Sequence, residues 1–431
     1  MTTIDLDGGP LDDVVQIAGP YSGDRQYARF IQYTPLSSSP DYVFVGEYVS
    51  QAAENRSRVC RIPVAGGSIS GQSPDQDVVI GTGFVDASDG HRGVPTGQAV
   101  GRLLANPAQH ATSTVAVVEA PAFDLNEFVD ASGISGFTRA SYMGFHHNPH
   151  TGETWMTHRN GSSDRDQMFW RRTVSGWAQV GNPLIRLMEG RCYASGQVMA
   201  FGPEGVIAVC VTESTSDPVF MRAVHVIMSD DNGASWRNVE GDTITLPATA
   251  FTSSTPLSQT DLTGTIASMT LDTLGNPMVA WSGQHADGVR GLWIARWTGT
   301  EWDRYRLITS ETYTAGAFVR QGSVIGVIAN DPTDSKLYVF VTSDNGASWV
   351  RHLLVDTSTN PVASVAVDRL AYAHHGRHRV MTGRSTTGGY AATDATVSTI
   401  FEFTLPAPAI AGLVNARNGT LTAVGGTLTA A

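Results

Sequence analysis

A pattern of strand, turn, strand, gap, strand, turn, strand returns along this chain, and few folds can accommodate it. SYMGFHHNPHTGETWMTHR (141–159) is followed by QMFWRRTVSGWAQV (167–180). GQVMAFGPEGVIAVCVTES (196–214) leads to RAVHVIMSDDNGASWRNV (222–239), and IASMTLDTLGNPMVAWSG (266–283) leads to GLWIARWTGTEWDRYRL (291–307). A fourth unit runs from 323 to 354, and weaker ones lie around 43–64, 100–120 and 370–405. The runs are short, rich in β-branched and aromatic residues, and separated by Gly, Asn and Asp turns. No long stretch repeats apolar residues at i, i+3, i+4 and i+7, so helices are not expected.

Each unit holds about four short strands, and such units recurring at roughly 50 residues are the signature of a β-propeller. The expected fold is therefore all-β: one propeller of four-stranded antiparallel blades, seven by this count, with six as the alternative. A propeller is one domain despite its length, and residues 1–417 are assigned to it. NGTLTAVGGTLTAA (418–431) repeats Gly-Thr-Leu-Thr-Ala and reads as a closing strand or a tail.

Composition narrows the partners. The 431 residues include 45 glycines and carry a net charge of −12. Lys336 is the only lysine. A basic nucleic-acid footprint is not expected in such a chain. Cys60, Cys192 and Cys210 lack CxxC spacing, which argues against a disulfide framework or a zinc site. No apolar run approaches the roughly 18 residues of a membrane span. The first residues lack the basic and apolar regions of a signal peptide.

SDDNGASW (229–236) and TSDNGASW (342–349) share a further pattern, Ser/Thr-x-Asp-x-Gly-x-Ser/Thr-Trp. It resembles the Asp box, or bacterial neuraminidase repeat. In a tight hairpin the aspartate accepts N–H bonds from its own turn, the glycine supplies a positive φ, and the tryptophan packs between sheets. Families that carry the motif place it at blade edges, so Asp231, Trp236, Asp344 and Trp349 are read as structural. CRIP (60–63) looks like the Arg-Ile-Pro of sialidases, but the further arginines, the tyrosine–glutamate pair and the aspartic acid of that family do not follow. It also reads as a strand entering a turn.

A second resemblance covers about 85 to 310. DASDGHRG (86–93), RASYMGF (139–145) and ETWMTHRNGSSDRDQMFWRRT (153–173) look like the Asp-Gly-His-Asn, Thr-Tyr-Pro-x-Phe and Tyr-Arg-Asp-Gly-Ser-Ser patterns of propellers related to ulvan lyases. Met143 stands where that family has proline, and Asn160 where it has aspartate. The resemblance implies His91, Tyr142 and Arg159 as catalytic residues. These types suit β-elimination from a uronic-acid glycan. A guanidinium can clamp the carboxylate and offset the developing enediolate, while imidazole and phenol exchange protons. Which of His91 and Tyr142 is the base stays open.

His110 has the spacing of a second histidine common in that family, although NPAQHATSTVAVV reads as a hairpin turn. Arg191, Tyr193 and Gln197 occupy the corresponding region of the next unit and are expected, with His110, to contact substrate. HHNPH (146–150) reads as a hairpin turn rather than a metal site, and AHHGRHR (373–379) as a solvated loop.

The sequence is thus read as a polysaccharide lyase acting on an acidic, ulvan-like glycan, outside the cell or on a particle. No cofactor is required by that reading; a structural Ca or Zn ion is compatible with it, but no residue set identifies one. Neither nucleic acid nor membrane is an expected partner. Two rivals remain: a glycoside hydrolase, sialidase-like or another exo-glycosidase, and a non-catalytic glycan-binding or phage-tail propeller. No convincing carboxylate pair supports hydrolysis.

Overall fold

The computed structural model describes residues 7–10, 15–17, 35–39, 41–51, 54–82, 96–99, 102–105, 117–120, 125, 128–130, 140–160, 166–186, 191–193, 197–214, 221–249, 257–262, 268–284, 290–309, 316–331, 336–356, 362–384 and 398–406. Their strands form seven sheets. Sheet 1 contains Pro35–Ser39, Tyr42–Gln51, Glu54–Pro63 and Gln76–Thr82. Sheet 2 contains Thr96–Ala99, Arg102–Ala105, Val118–Ala120 and Val129–Asp130. Sheet 3 contains Ala140–His147, Thr154–Asn160, Asp166–Thr173 and Gly176–Arg186.

Sheet 4 is larger. Arg191–Tyr193 and Met199–Phe201 both pair with Ile207–Ser214, which is followed by Met221–Ser229 and three further strands. Sheet 5 is Ser268–Leu271, Pro277–Gln284, Arg290–Trp297 and Trp302–Thr309. Sheet 6 is Gly316–Gln321, Val324–Asp331, Lys336–Thr342 and Val350–Asp356, with Asp7–Pro10 added in parallel. Sheet 7 is Val362–Asp368, His378–Arg384 and Ser398–Phe403, completed by the antiparallel Val15–Ile17 from the other end of the chain. The strand that completes the last sheet is therefore N-terminal. Residues 418–431 lie outside the described set.

The core lies between sheets rather than at one centre. Phe44 and Leu103 join sheets 1 and 2, and Leu104 and Met156 join sheets 2 and 3. Trp155, Val209 and Trp293 run through sheets 3 to 5. Ile294 meets Phe318 between sheets 5 and 6, and Val339 meets Phe401 between 6 and 7. Val45 and Met381 close sheet 7 back onto sheet 1. Apolar surface buried at every junction is what a ring of sheets requires, since each sheet has two faces to cover. The strands that begin the sheets also touch around the ring, as Pro35–Ser39 does with both Thr96–Ala99 and Val362–Asp368. They line the axis.

Strand direction alternates within each sheet, apart from the parallel Asp7–Pro10 at the edge of sheet 6. Connections from second to third strand, and from sheet to sheet, therefore emerge at one end of the ring, here called the upper end. The first and third hairpins turn at the lower end. Both octapeptides are lower hairpins. Asp231 accepts from Ser235 N (2.8 Å), Ser235 Oγ (2.6 Å) and Ser229 Oγ (2.8 Å), and these bonds, led by the Ser235 hydroxyl, lower its pKa. Asp344 is held the same way by Thr342 and Ser348. Trp236 and Trp349 are buried. Each turn also latches to the preceding sheet. Arg171 donates to Asn232 O and Arg296 to Asn345 O, while Asn232 Nδ2 reaches Glu153 and Asn345 Oδ1 accepts from Thr273.

In HHNPH the two leading histidines end the strand Ala140–His147 and the rest is a turn, where Asn148 Oδ1 accepts from the His150 and Thr151 amides at 2.9 and 3.4 Å. CRIP lies at the end of Glu54–Pro63, where Arg61 forms a paired bond with Asp75 (2.9 and 2.8 Å) and stacks over Tyr42. AHHGRHR departs from expectation. It contains the end of a short helix, Ala371–His375, and the start of a strand, and Arg379 is fully buried between Asp368 (3.1 Å) and Glu402. A chain crossing the lower end of the ring needs such internal pairing, because a guanidinium cannot be buried without partners. Among the described residues no helix is long and apolar enough to cross a membrane.

Candidate functional site

Arg159 lies near the upper end of Thr154–Asn160, paired with Ser141 on the axial side and Gln167 on the other. It is only 4% exposed. Between Ser141↔Arg159 and Gly144↔Thr157 the register slips, so Tyr142 and Met143 together oppose His158 alone. This bulge sets the Tyr142 backbone within one ladder step of Arg159 and interrupts regular alternation, as bulges beside functional sites do. The backbones of Tyr142 and Arg159 are thus neighbours in this sheet.

His158 underpins the arginine. Its Nε2 accepts from Trp170 Nε1 at 3.1 Å, which leaves Nδ1 as the donor to Arg159 O at 3.3 Å. Burial lowers its pKa to about 4, so it stays uncharged at neutral pH. Asp166, the next strand's first residue, is held by Arg186 through two bonds of 2.7 and 2.8 Å.

In the next sheet Arg191 and Tyr193 pair with Ser214 and Thr212, again at the upper end. Beside them Glu213 and His225 form a buried pair at 2.8 Å, which sequence reading did not single out. Gln197 has a different task. Its Nε2 donates to Phe318 O (2.7 Å) and its Oε1 accepts from Phe318 N (2.6 Å), so both ends of its amide clamp sheet 4 to sheet 6. A substrate contact through that amide would have to break two backbone bonds. His91 and His110 lie outside the described residues. The strand ends that flank them, Thr82 and Thr96, Ala105 and Val118, are at the same upper end as Arg159.

Residues 84–310, more than half of the chain, match the family described as BNR repeat-containing family member. The chain belongs to this BNR repeat-containing family. The matched segment carries every candidate residue named above, from His91 to Gln197. No curated protein sequence matches the chain. The BNR propeller is similar to two solved lyases. A PL25 ulvan lyase bound to -[GlcA(1-4)Rha3S]- superposes with a TM-score of 0.64 at 14% identity, covering 89% of this chain and 95% of the other. The polysaccharide lyase Uly1 superposes with 0.62 at 13% identity, covering 92% and 100%. These likenesses establish the shared fold.

The lower end of this BNR propeller holds the other residues that sequence reading missed. After Asp368 the chain crosses the axis. Leu370 packs with Phe44 and Leu103 of sheets 1 and 2, and a Cβ on Gly67 of sheet 1 would stand 3.1 Å from His375 O. Arg369 reaches the opposite side of the ring, where its Nη1 donates to His146 Nδ1 of sheet 3 at 3.0 Å. His146 Nε2 meets Thr157 Oγ1 at 3.0 Å. Residues 223 positions apart leave no local signal of such a contact.

Proposed function

We propose that the protein is a polysaccharide lyase that cleaves an acidic, uronic-acid-containing glycan by β-elimination. The observation that carries this reading is the adjacency of the Tyr142 and Arg159 backbones at the upper end of sheet 3, in a fold shared with ulvan lyases. Arg159 faces a task that a guanidinium performs well: two parallel N–H bonds to the uronate carboxylate. As the base removes the proton α to that carboxylate, charge moves onto the carboxylate oxygens, where the guanidinium offsets it. The electron pair then forms the ring double bond, the glycosidic bond breaks, and the departing oxygen takes a proton.

His91 and Tyr142 are assigned these two proton transfers, with Arg191 and Tyr193 contacting the neighbouring sugar. His158 contributes by holding the Arg159 main chain while remaining uncharged. A polymeric substrate of this kind places the protein outside the cell or on a particle.

The experiment is incubation with a panel of uronic polysaccharides. A lyase produces an unsaturated uronate that absorbs in the near ultraviolet, and Arg159→Ala should remove that signal while the fold persists. New reducing ends without the chromophore would identify a hydrolase. Neither product would leave a glycan-binding module.

A further inference from the structure

We propose that Trp170 is a positioning residue of the upper-end site, holding the main chain of Arg159 through His158. The inference rests on the lyase reading and adds to it a side chain that the reading leaves out. Trp170 lies on the third strand of sheet 3, where it pairs with Met156. His158 pairs with Met168, two residues before Trp170, so the two side chains are diagonal neighbours on one face. An aromatic ring can span that diagonal. Here the indole N–H donates to His158 Nε2 at 3.1 Å.

That bond decides what the imidazole can do. An indole N–H only donates, so Nε2 must be the accepting nitrogen and Nδ1 must carry the proton. Nδ1 in turn donates to Arg159 O at 3.3 Å. The opposite tautomer would set two donors against each other at Nε2 and a lone pair against the carbonyl at Nδ1. The indole therefore fixes the tautomer, and the tautomer ties down the main chain of residue 159. His158 is buried, which keeps bulk water away from the pair.

The position along the strand explains the need. His158 is the residue opposed by both Tyr142 and Met143, where the ladder between the first two strands is irregular. A bulge leaves the backbone less regularly paired, and a side-chain bond to the Arg159 carbonyl supplies a restraint there. The Trp170 ring also packs against the cluster of Leu104, Val117, Met143 and Met156. One side chain thus braces both sides of the bulge: the ring supports the cluster that holds Met143, next to Tyr142, and the N–H holds His158, next to Arg159. Trp177 packs against the same cluster, yet its Nε1 is buried with no hydrogen-bond partner among the described residues. Packing alone does not require the polar contact that Trp170 makes. A carboxylate clamp does gain from it, because a misplacement of about 1 Å can cost a hundred-fold in rate.

The test compares Trp170→Phe with Trp177→Phe in the full chain, with the uronic polysaccharides of the panel above as substrates and unsaturated uronate as the readout. Both variants keep an aromatic ring in the cluster, and only the first loses the donor to His158. Trp170→Phe should lower kcat by roughly ten-fold or more while KM moves far less, since the clamp matters most as charge builds up in the transition state. Trp177→Phe should keep wild-type kinetics. His158→Leu should lose as much rate as Trp170→Phe, and His158→Gln should recover it, because its amide can accept from the indole and donate to the carbonyl. Equal kcat values for folded Trp170→Phe and Trp177→Phe would overturn the proposal. Should Trp170→Phe fail to fold, equal kcat values for His158→Leu and His158→Gln would overturn it instead. A wild type that cleaves no uronic polysaccharide sinks the lyase reading and this role together, whereas an active wild type matched by Trp170→Phe sinks this role alone.

Discussion

Arg171 of sheet 3 donates through Nη1 to the main-chain oxygen of Asn232 in the lower turn of sheet 4, at 3.1 Å. Asn232 has φ 55°, so its carbonyl projects from a left-handed turn towards the neighbouring sheet. Arg296 and Asn345 repeat the arrangement between sheets 5 and 6 at 3.0 Å, with φ 57° at Asn345. The conserved shape of the two octapeptides is therefore a docking device between sheets as well as a turn.

That device predicts an unequal response to alanine at two glycines. Gly233 has φ +85°, and an added Cβ would stand 2.6 Å from the Trp155 ring. Gly71 has a similar φ of +71° with nothing within 4 Å. Gly71→Ala should cost about 1 kcal/mol from backbone strain alone. Gly233→Ala should cost about 2–4 kcal/mol, since overpacking against the indole adds to the strain. Urea denaturation of both variants measures the difference, and equal losses would show that the indole gives way freely.

Gln197 separates an architectural role from a substrate role. Gln197→Leu removes both bonds to Phe318 and leaves a backbone donor and acceptor near the axis unsatisfied, a loss of about 2–3 kcal/mol. Its KM for an acidic glycan should stay unchanged once the folded fraction is matched. A raised KM at full stability would return Gln197 to the substrate contacts.

Buried His158 gives acid sensitivity with a definite sign. Its pKa falls from 6.5 to about 4 on folding, so between those values the unfolded chain binds more protons. The resulting stability is present above pH 6.5 and is lost as pH falls towards 4. At most it amounts to about 3 kcal/mol, at 1.36 kcal/mol per unit. Denaturation midpoints across this window should fall more steeply for the wild type than for His158→Gln. Parallel pH profiles would contradict the shift.

Arg379 sits between two buried carboxylates with no exposed surface on any of the three side chains. Removing its charge strands Asp368 and Glu402, so Arg379→Met should destabilise by about 3–5 kcal/mol. Thermal unfolding monitored by tryptophan fluorescence would show it. A neutral result would mean that the carboxylates take up a proton readily in the fold.

The architecture was legible because it is written locally. Units such as 141–159 with 167–180 correspond to sheet 3, since turn residues and alternation act over a few residues. Asp231 and Trp236 were legible for the same reason. Arg159 could be chosen because ETWMTHRNGSSDRDQMFWRRT resembles the pattern of propellers related to ulvan lyases, but the bulge that sets the Tyr142 backbone next to it depends on register, which single residues do not encode. Gln197 was misleading because its amide meets a main chain 121 residues away. Arg369 and His146 gave no sign at all: one follows an ordinary strand, and the other precedes an ordinary turn. The loop reading of 373–379 failed because histidines and arginines look hydrophilic until Asp368 and Glu402 are known to face them.

Val15–Ile17 pairs with Ser398–Phe403, almost the whole chain away. During synthesis on the ribosome these N-terminal residues emerge early and must wait, unpaired, until the last sheet has been made. The ring can therefore lock only after Ser398–Phe403 has been made, and a nascent chain halted before residue 398 would lack the partner of Val15–Ile17.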